Sequence, residues 1–239
     1  MKSARPWLVT TAALAGCAAT LALGFWQWGR AEEKVRLQEA IDARAKDPAI
    51  ELQDAVAARD VAAVMHRRVI IRGGEWAGPT LFLDNRQMEG KVGFYVVTAL
   101  KVPGTANAAV AVQRGWAPRN FQRREQLPPV STPVGAVAFE GVIAPPPARL
   151  FAFAGADSGA IRQNLDLSRF REETRLPLET RFSVQQVGAA SDGLLRQWPH
   201  VGSGAERNWG YAFQWWALSA LIAILYAWFQ FIRPARAAR

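Results

Sequence analysis

The sequence predicts a membrane protein of the α+β class. Two transmembrane helices flank a mainly antiparallel β domain, barrel- or sandwich-like, that lies outside the cytoplasm. Three observations carry this. Two uncharged runs, residues 7–25 and 209–232, each reach the ~20 residues that a helix needs to cross ~30 Å of hydrocarbon. Basic residues without acids sit at both ends, Lys2 and Arg5 before the first run and Arg233, Arg236 and Arg239 after the second, and short positive flanks stay cytoplasmic. Between the runs, β-branched and aromatic stretches recur at turn-punctuated spacing with few helical patterns.

The elements follow in order. Residues 1–6 form a cytoplasmic end and residues 7–25 the first span. Within it "LAGC", ending at Cys17, resembles a lipoprotein cleavage site. The apolar run continues through Cys17 to Phe25, which favours an uncleaved anchor with Cys17 as a small membrane filler. Residues 26–208 make the exposed region, periplasmic in a two-membrane bacterium. It opens with a stalk helix that carries Trp26 and Trp28 at headgroup level, the Glu32/Arg36 pair and a Leu37/Ala40/Ile41 stripe, and that ends at Pro48. Strands are predicted over 67–76, broken at Gly73-Gly74, and over 80–100 as a hairpin with a longer loop around 85–90. Further strands fall at 108–120, 134–147 and 181–187, with a helix at 166–174 whose N-cap is Ser168. The second span covers 209–232 and the cytoplasmic C-terminus 233–239. Arg30, Lys34 and Arg36 oppose the orientation, but they open a loop of roughly 180 residues, and long loops translocate largely regardless of charge.

Composition excludes several functions. Of the net charge of +9, five units lie at the two ends, so the basic balance reports topology rather than a nucleic-acid surface. One Cys and two His, His66 and His200, leave no internal disulfide and no clustered zinc or copper site. No Gly-rich phosphate loop or nucleophile–base pair is legible, and Asp84 and Asp166 are single carboxylates in turns, so no enzymatic activity is expected. The groupings with content are Asn85-Arg86, Arg114-Gly115-Trp116 and Asn164-Leu165-Asp166, each at or inside an apolar strand. An Arg beside a Trp can be a cation–π strut, or can equally meet an acidic group on a partner.

The motifs "LGFWQWGRAEEK", "RRVIIRGGEW", "LDNR" with "GFYVVTAL", "VQRGWAP" and "NWGYAFQWWALSA" occur in this order between two spans. Together they resemble the Surfeit locus protein 1 family across nearly the whole chain. The resemblance implies an assembly factor for an aa3-type cytochrome c oxidase that assists maturation of, or haem a insertion into, subunit I, alongside other assembly factors, in the cell inner membrane. It also implies haem a as a cofactor that some bacterial members bind and hand on. The family usually has His where Asn208 stands, and Pro where Ala99 stands. An amide is a weak iron ligand, so weak or absent haem binding is expected. His200, eight residues earlier, is the alternative imidazole, and Tyr211, Trp209 and Trp215 could cover a macrocycle. Asn208 itself reads most simply as the N-cap of the second helix. The alternatives are a haem-binding chaperone proper, or a periplasmic lipoprotein or enzyme.

Overall fold

The structure, a computed structural model, describes residues 6–123, 126–150, 158–189, 192–199 and 204–237. The chain divides into two compact units: residues 1–40 with 200–239, and residues 41–199.

The first unit is a pair of helices. Helix α1 (Pro6–Ala45) joins the apolar run and the stalk without interruption, because no proline stands between Pro6 and Pro48. Its polar half carries Arg30–Glu33 at 2.7 Å and Glu32–Arg36 at 3.7 Å. Helix α5 (Ala205–Ala227) runs into a π-helical turn, Trp228–Ile232, and then α6 (Arg233–Ala237). The stretches Trp7–Ala45 and Ala205–Ile232 are long and apolar enough to cross a membrane, which is compatible with a membrane protein.

The two long helices meet along small residues at a seven-residue step. Thr10 bonds Tyr226 at 2.9 Å, Cys17 donates to the Ser219 carbonyl at 3.5 Å, and Ser219 returns a bond to the Cys17 carbonyl at 3.3 Å. The same step continues through Gly24 and Ala31 on α1 and through Ala212 and Ala205 on α5, all four buried. A sustained seven-residue repeat is the signature of a left-handed helix pair, and small residues let such helices approach. Gly24 also makes a seat: a Cβ there would lie 2.2 Å from the Trp216 ring nitrogen.

The second unit is built on one mixed sheet with the elements β1 (Ile50–Glu51), α2 (Leu52–Ala57), α3 (Val61–Val64), β2 (Arg68–Met88), β3 (Lys91–Lys101), β4 (Ala109–Pro118), β5 (Ala136–Ala144), β6 (Ile161–Arg162), α4 (Leu167–Thr174) and β7 (Ser183–Gln186). The pairs β2–β3, β3–β4, β2–β5 and β5–β7 are antiparallel, while β1–β2, β2–β6 and β4–β7 are parallel. The expected barrel- or sandwich-like domain is met in part: the sheet is barrel-like but not a closed barrel, and it is not a sandwich. The pairings run in a ring, β2–β3–β4–β7–β5 and back to β2. Strand β2 takes β5 along its first part and β3 along its second, and only Glu75 pairs with both, so the ring is barrel-like without being a closed barrel. Among the described residues there is no second sheet for a sandwich, and helices supply the cover. Along β4 every residue from Ala109 to Ala117 is buried. Val110 and Val112 share a core with Leu52 of α2 and Val64 of α3; Ala109 and Ala111 share another with Leu167 and Phe170 of α4. A strand covered on both faces reads as a continuous apolar run, as "AAVAV" does.

Several boundaries differ from the sequence reading. Gly73-Gly74 does not break β2: Gly73, at φ 83°, is absorbed in a bulge between Arg72 and Gly74. The expected long hairpin loop is a two-residue turn, since Met88 pairs with Lys91. Glu89 and Gly90 have φ of 49° and 76°, the positive pair that a type I′ hairpin requires. The N-cap of α4 is Asp166, which accepts from the Ser168 and Arg169 amides at 2.9 and 3.2 Å, rather than Ser168.

Candidate functional site

In the helix pair, two stripes face one cleft. Gln27, Arg30 and Lys34 recur on α1 at helical spacing; Gly204, Arg207, Asn208 and Tyr211 do so at the start of α5. With Trp26 they line an open cleft of about 770 Å³. Asn208 is not a cap. The N-cap is Gly204, at φ 105° and with no side chain to offer, and Asn208 lies one turn inside the helix with its amide on the Gly204 carbonyl. Its side chain ties the helices together: Lys34 donates to Oδ1 at 2.8 Å, and Nδ2 donates to Gln27 at 2.6 Å. Both ends of the amide are thus engaged by α1.

Aromatic side chains gather beside the cleft. Trp28 lies 6.2 Å from Trp209 and 5.7 Å from Trp216, and Phe25 packs edge-on against Trp216 at 5.5 Å. Trp215 is half-buried, Tyr211 is exposed on the cleft wall, and the Trp216 ring nitrogen is buried without a hydrogen-bond acceptor. His200 lies outside the described residues. His66 belongs to the other unit, where its amide bonds the Ile143 carbonyl. Among the described residues the cleft therefore offers cations, the mutually bonded amides of Gln27 and Asn208 and the Tyr211 phenol, and no imidazole. Apart from the Tyr211 phenol, that donor set does not fit axial ligation of haem iron, and no described group of His, Cys, Asp and Glu could hold a metal ion.

In the sheet unit, Arg114 is 2% exposed, and its guanidinium is spent inside. It lies 4.7 Å over the Trp76 ring, donates to Thr132 at 2.8 Å and to the Ser131 carbonyl at 2.5 Å, and stands 3.6 Å from Asp192. Asp192 is gripped by Arg196 through both oxygens at 2.7 Å, and Arg196 also donates to the Arg114 carbonyl at 2.8 Å. Burial pulls the Arg114 pKa down, and Asp192 offsets part of this. The adjacent Trp116 is a separate contact: its ring nitrogen donates to the Arg86 carbonyl at 3.0 Å. Gly115 between them is required by close approach, since a Cβ there would stand 2.8 Å from the Leu195 carbonyl.

Arg86 is buried, donates to the Gln163 carbonyl at 2.9 Å and lies 5.8 Å from the Tyr95 ring. Burial lowers its pKa as well, and raises that of Tyr95. Asn85 is exposed at φ 59°, filling a bulge between Leu83 and Arg86.

The sequence reading placed Arg114 beside a Trp but missed which one, together with Asp192, Arg196 and Thr132. These partners lie far away in sequence, and no local spacing points to them. It also missed Gln27 and Lys34 as partners of Asn208, although both fall on the polar face of the stalk.

The model of the SURF1 family matches residues 14–220, from within the first apolar run, through the whole sheet unit, to within α5. The chain belongs to the SURF1 family. The SURF1 family is linked to the assembly of cytochrome c oxidase. No curated protein matches the chain. The SURF1 match takes in the Asn208 bridge, the Arg114 cluster and the Arg86–Tyr95 contact alike.

Proposed function

We propose that this SURF1 protein is an assembly factor for an aa3-type cytochrome c oxidase, acting on subunit I while that subunit matures and receives haem a. It is held in the inner membrane by α1 and α5, with both termini cytoplasmic and the sheet unit on the periplasmic side. It works by holding a partner, without turnover of its own. The observation that carries this is the family match over residues 14–220. The charge asymmetry of the two ends supports the orientation. The Arg114 cluster supports a holding role, since a sheet braced by internal ion pairs presents a fixed surface to a partner.

A deletion strain tests the function. Oxidase activity should fall, and the residual enzyme should be short of haem a. Wild-type activity with full haem content would overturn the proposal. Reporter fusions after Gln122 and after Arg239 test the orientation, and a periplasmic readout at Arg239 would reject it.

A further inference from the structure

We propose that the cleft between α1 and α5 is a binding site for the phosphate of an anionic phospholipid headgroup. Three cations, Arg30, Lys34 and Arg207, converge on it, and no acid shares the lining. Arg30 is partly neutralised by exposed Glu33, whereas Arg207 has no ion pair among the described residues. Lys34 spends one proton on Asn208, and an ammonium has two more to give. The first turn of α5 adds backbone donors, because Gly204 caps it without a side chain. Trp26 and Tyr211 form the walls, and such aromatics settle at headgroup level in a bilayer.

The site also accounts for an anomaly of charge. With both termini cytoplasmic, Arg30 and Lys34 sit at the far end of the first span, where basic residues are disfavoured. Cations that bind lipid phosphate have a reason to be there. The shared chemistry is a phosphate anion, and its source is the lipid, because the cleft opens between two helices that each carry an apolar stretch long enough to span.

The inference rests on reading α1 and α5 as membrane spans. The test uses the full chain, delipidated in mild detergent and titrated with dioleoyl phosphatidylglycerol or dioleoyl phosphatidylcholine under native mass spectrometry. Wild type should take one phosphatidylglycerol in preference to phosphatidylcholine. Removing a surface cation should weaken this roughly fivefold, so the triple variant Arg30→Gln, Lys34→Gln, Arg207→Gln should lose roughly a hundredfold. Arg36→Gln, on the same helix but off the cleft, should change little. The pair Arg30→Lys, Arg207→Lys should keep the preference, which separates lost charge from lost folding. Equal binding of the two lipids, or an unchanged triple variant, would overturn the site. So would saturation by inorganic phosphate with no hold on the lipid, which would mark a soluble anion as the ligand. If the span reading itself is wrong, the chain will extract into buffer without detergent; if only the site is wrong, it will stay with the membrane and show no headgroup preference.

Discussion

At the residue scale, Arg114 carries the largest single consequence. Its guanidinium is buried over Trp76 and donates to Thr132 and to the Ser131 carbonyl, while Asp192 keeps its hold on Arg196 whether or not Arg114 is present. Arg114→Ala leaves the Ser131 carbonyl and Thr132 without their donor, and should therefore destabilise the sheet unit by about 1–3 kcal/mol and lower oxidase assembly with it. Arg123→Ala should do neither, since Arg123 is exposed and its bonds among the described residues are made by its backbone, to Asn120 and Gln126, which alanine keeps. Equal losses in chemical denaturation and in oxidase activity would remove Arg114 from its special place. His66 gives a pH dependence. Burial, and then the Arg44 guanidinium, hold its imidazole below the usual histidine range. The fold thus prefers the neutral ring. Its contribution is complete above the unfolded value of about 6.5, and is lost as pH falls through that value towards the folded one. His66→Asn keeps a residue that tolerates the φ of 67° and should flatten the loss below neutrality. An unchanged slope of urea midpoint against pH would assign the effect to another group.

At the scale of elements, the helix seam makes a sharp demand at Gly24. A methyl group there would collide with the Trp216 ring, so Gly24→Ala should drive Trp216 from its seat and disturb Phe25 and Trp28 with it. Tryptophan fluorescence should shift, while Gly29→Ala, where added bulk meets open space, should leave it alone. Both apolar helices were legible from the sequence because length and lack of charge are local properties. So were the cores of β3, β4, β5 and β7, whose β-branched and apolar runs need no knowledge of neighbours. Strands β1 and β6 were not, because two-residue strands exist only through their pairing with β2. The continuity of β2 was hidden for a related reason. A glycine pair marks a turn or a bulge equally well, and the pairing partner decides between them. At the cleft, the aromatic and basic residues could be read from the chain. The bridge from Asn208 to Gln27 and Lys34 could not, since it depends on how one helix is turned against another.

At the scale of the whole molecule, the cleft sets an expectation for haem. Among the described residues that line it there is no imidazole; Asn208 has both amide atoms bonded, Gln27 accepts one of those bonds, and the Tyr211 phenol is the remaining neutral donor. The protein purified from cells making haem a should therefore carry less than stoichiometric haem, and Asn208→His should create a low-spin Soret band by supplying an imidazole. Stoichiometric haem in the wild type, unaffected by His200→Ala, would contradict this. The order of strands has a consequence of another kind. Strand β7 is the last in sequence, yet it lies between β4 and β5, pairing with Val112 and Gln113 on one side and with residues 141–144 on the other. Until Ser183–Gln186 have left the ribosome, β4 and β5 each keep one edge bare along those residues. A nascent chain stopped short of β7 would hold two unsatisfied edges side by side, which is a template for pairing with the wrong chain. The growing protein is thus most exposed to aggregation late in synthesis, and a helper that shields strand edges would be needed for only a brief interval.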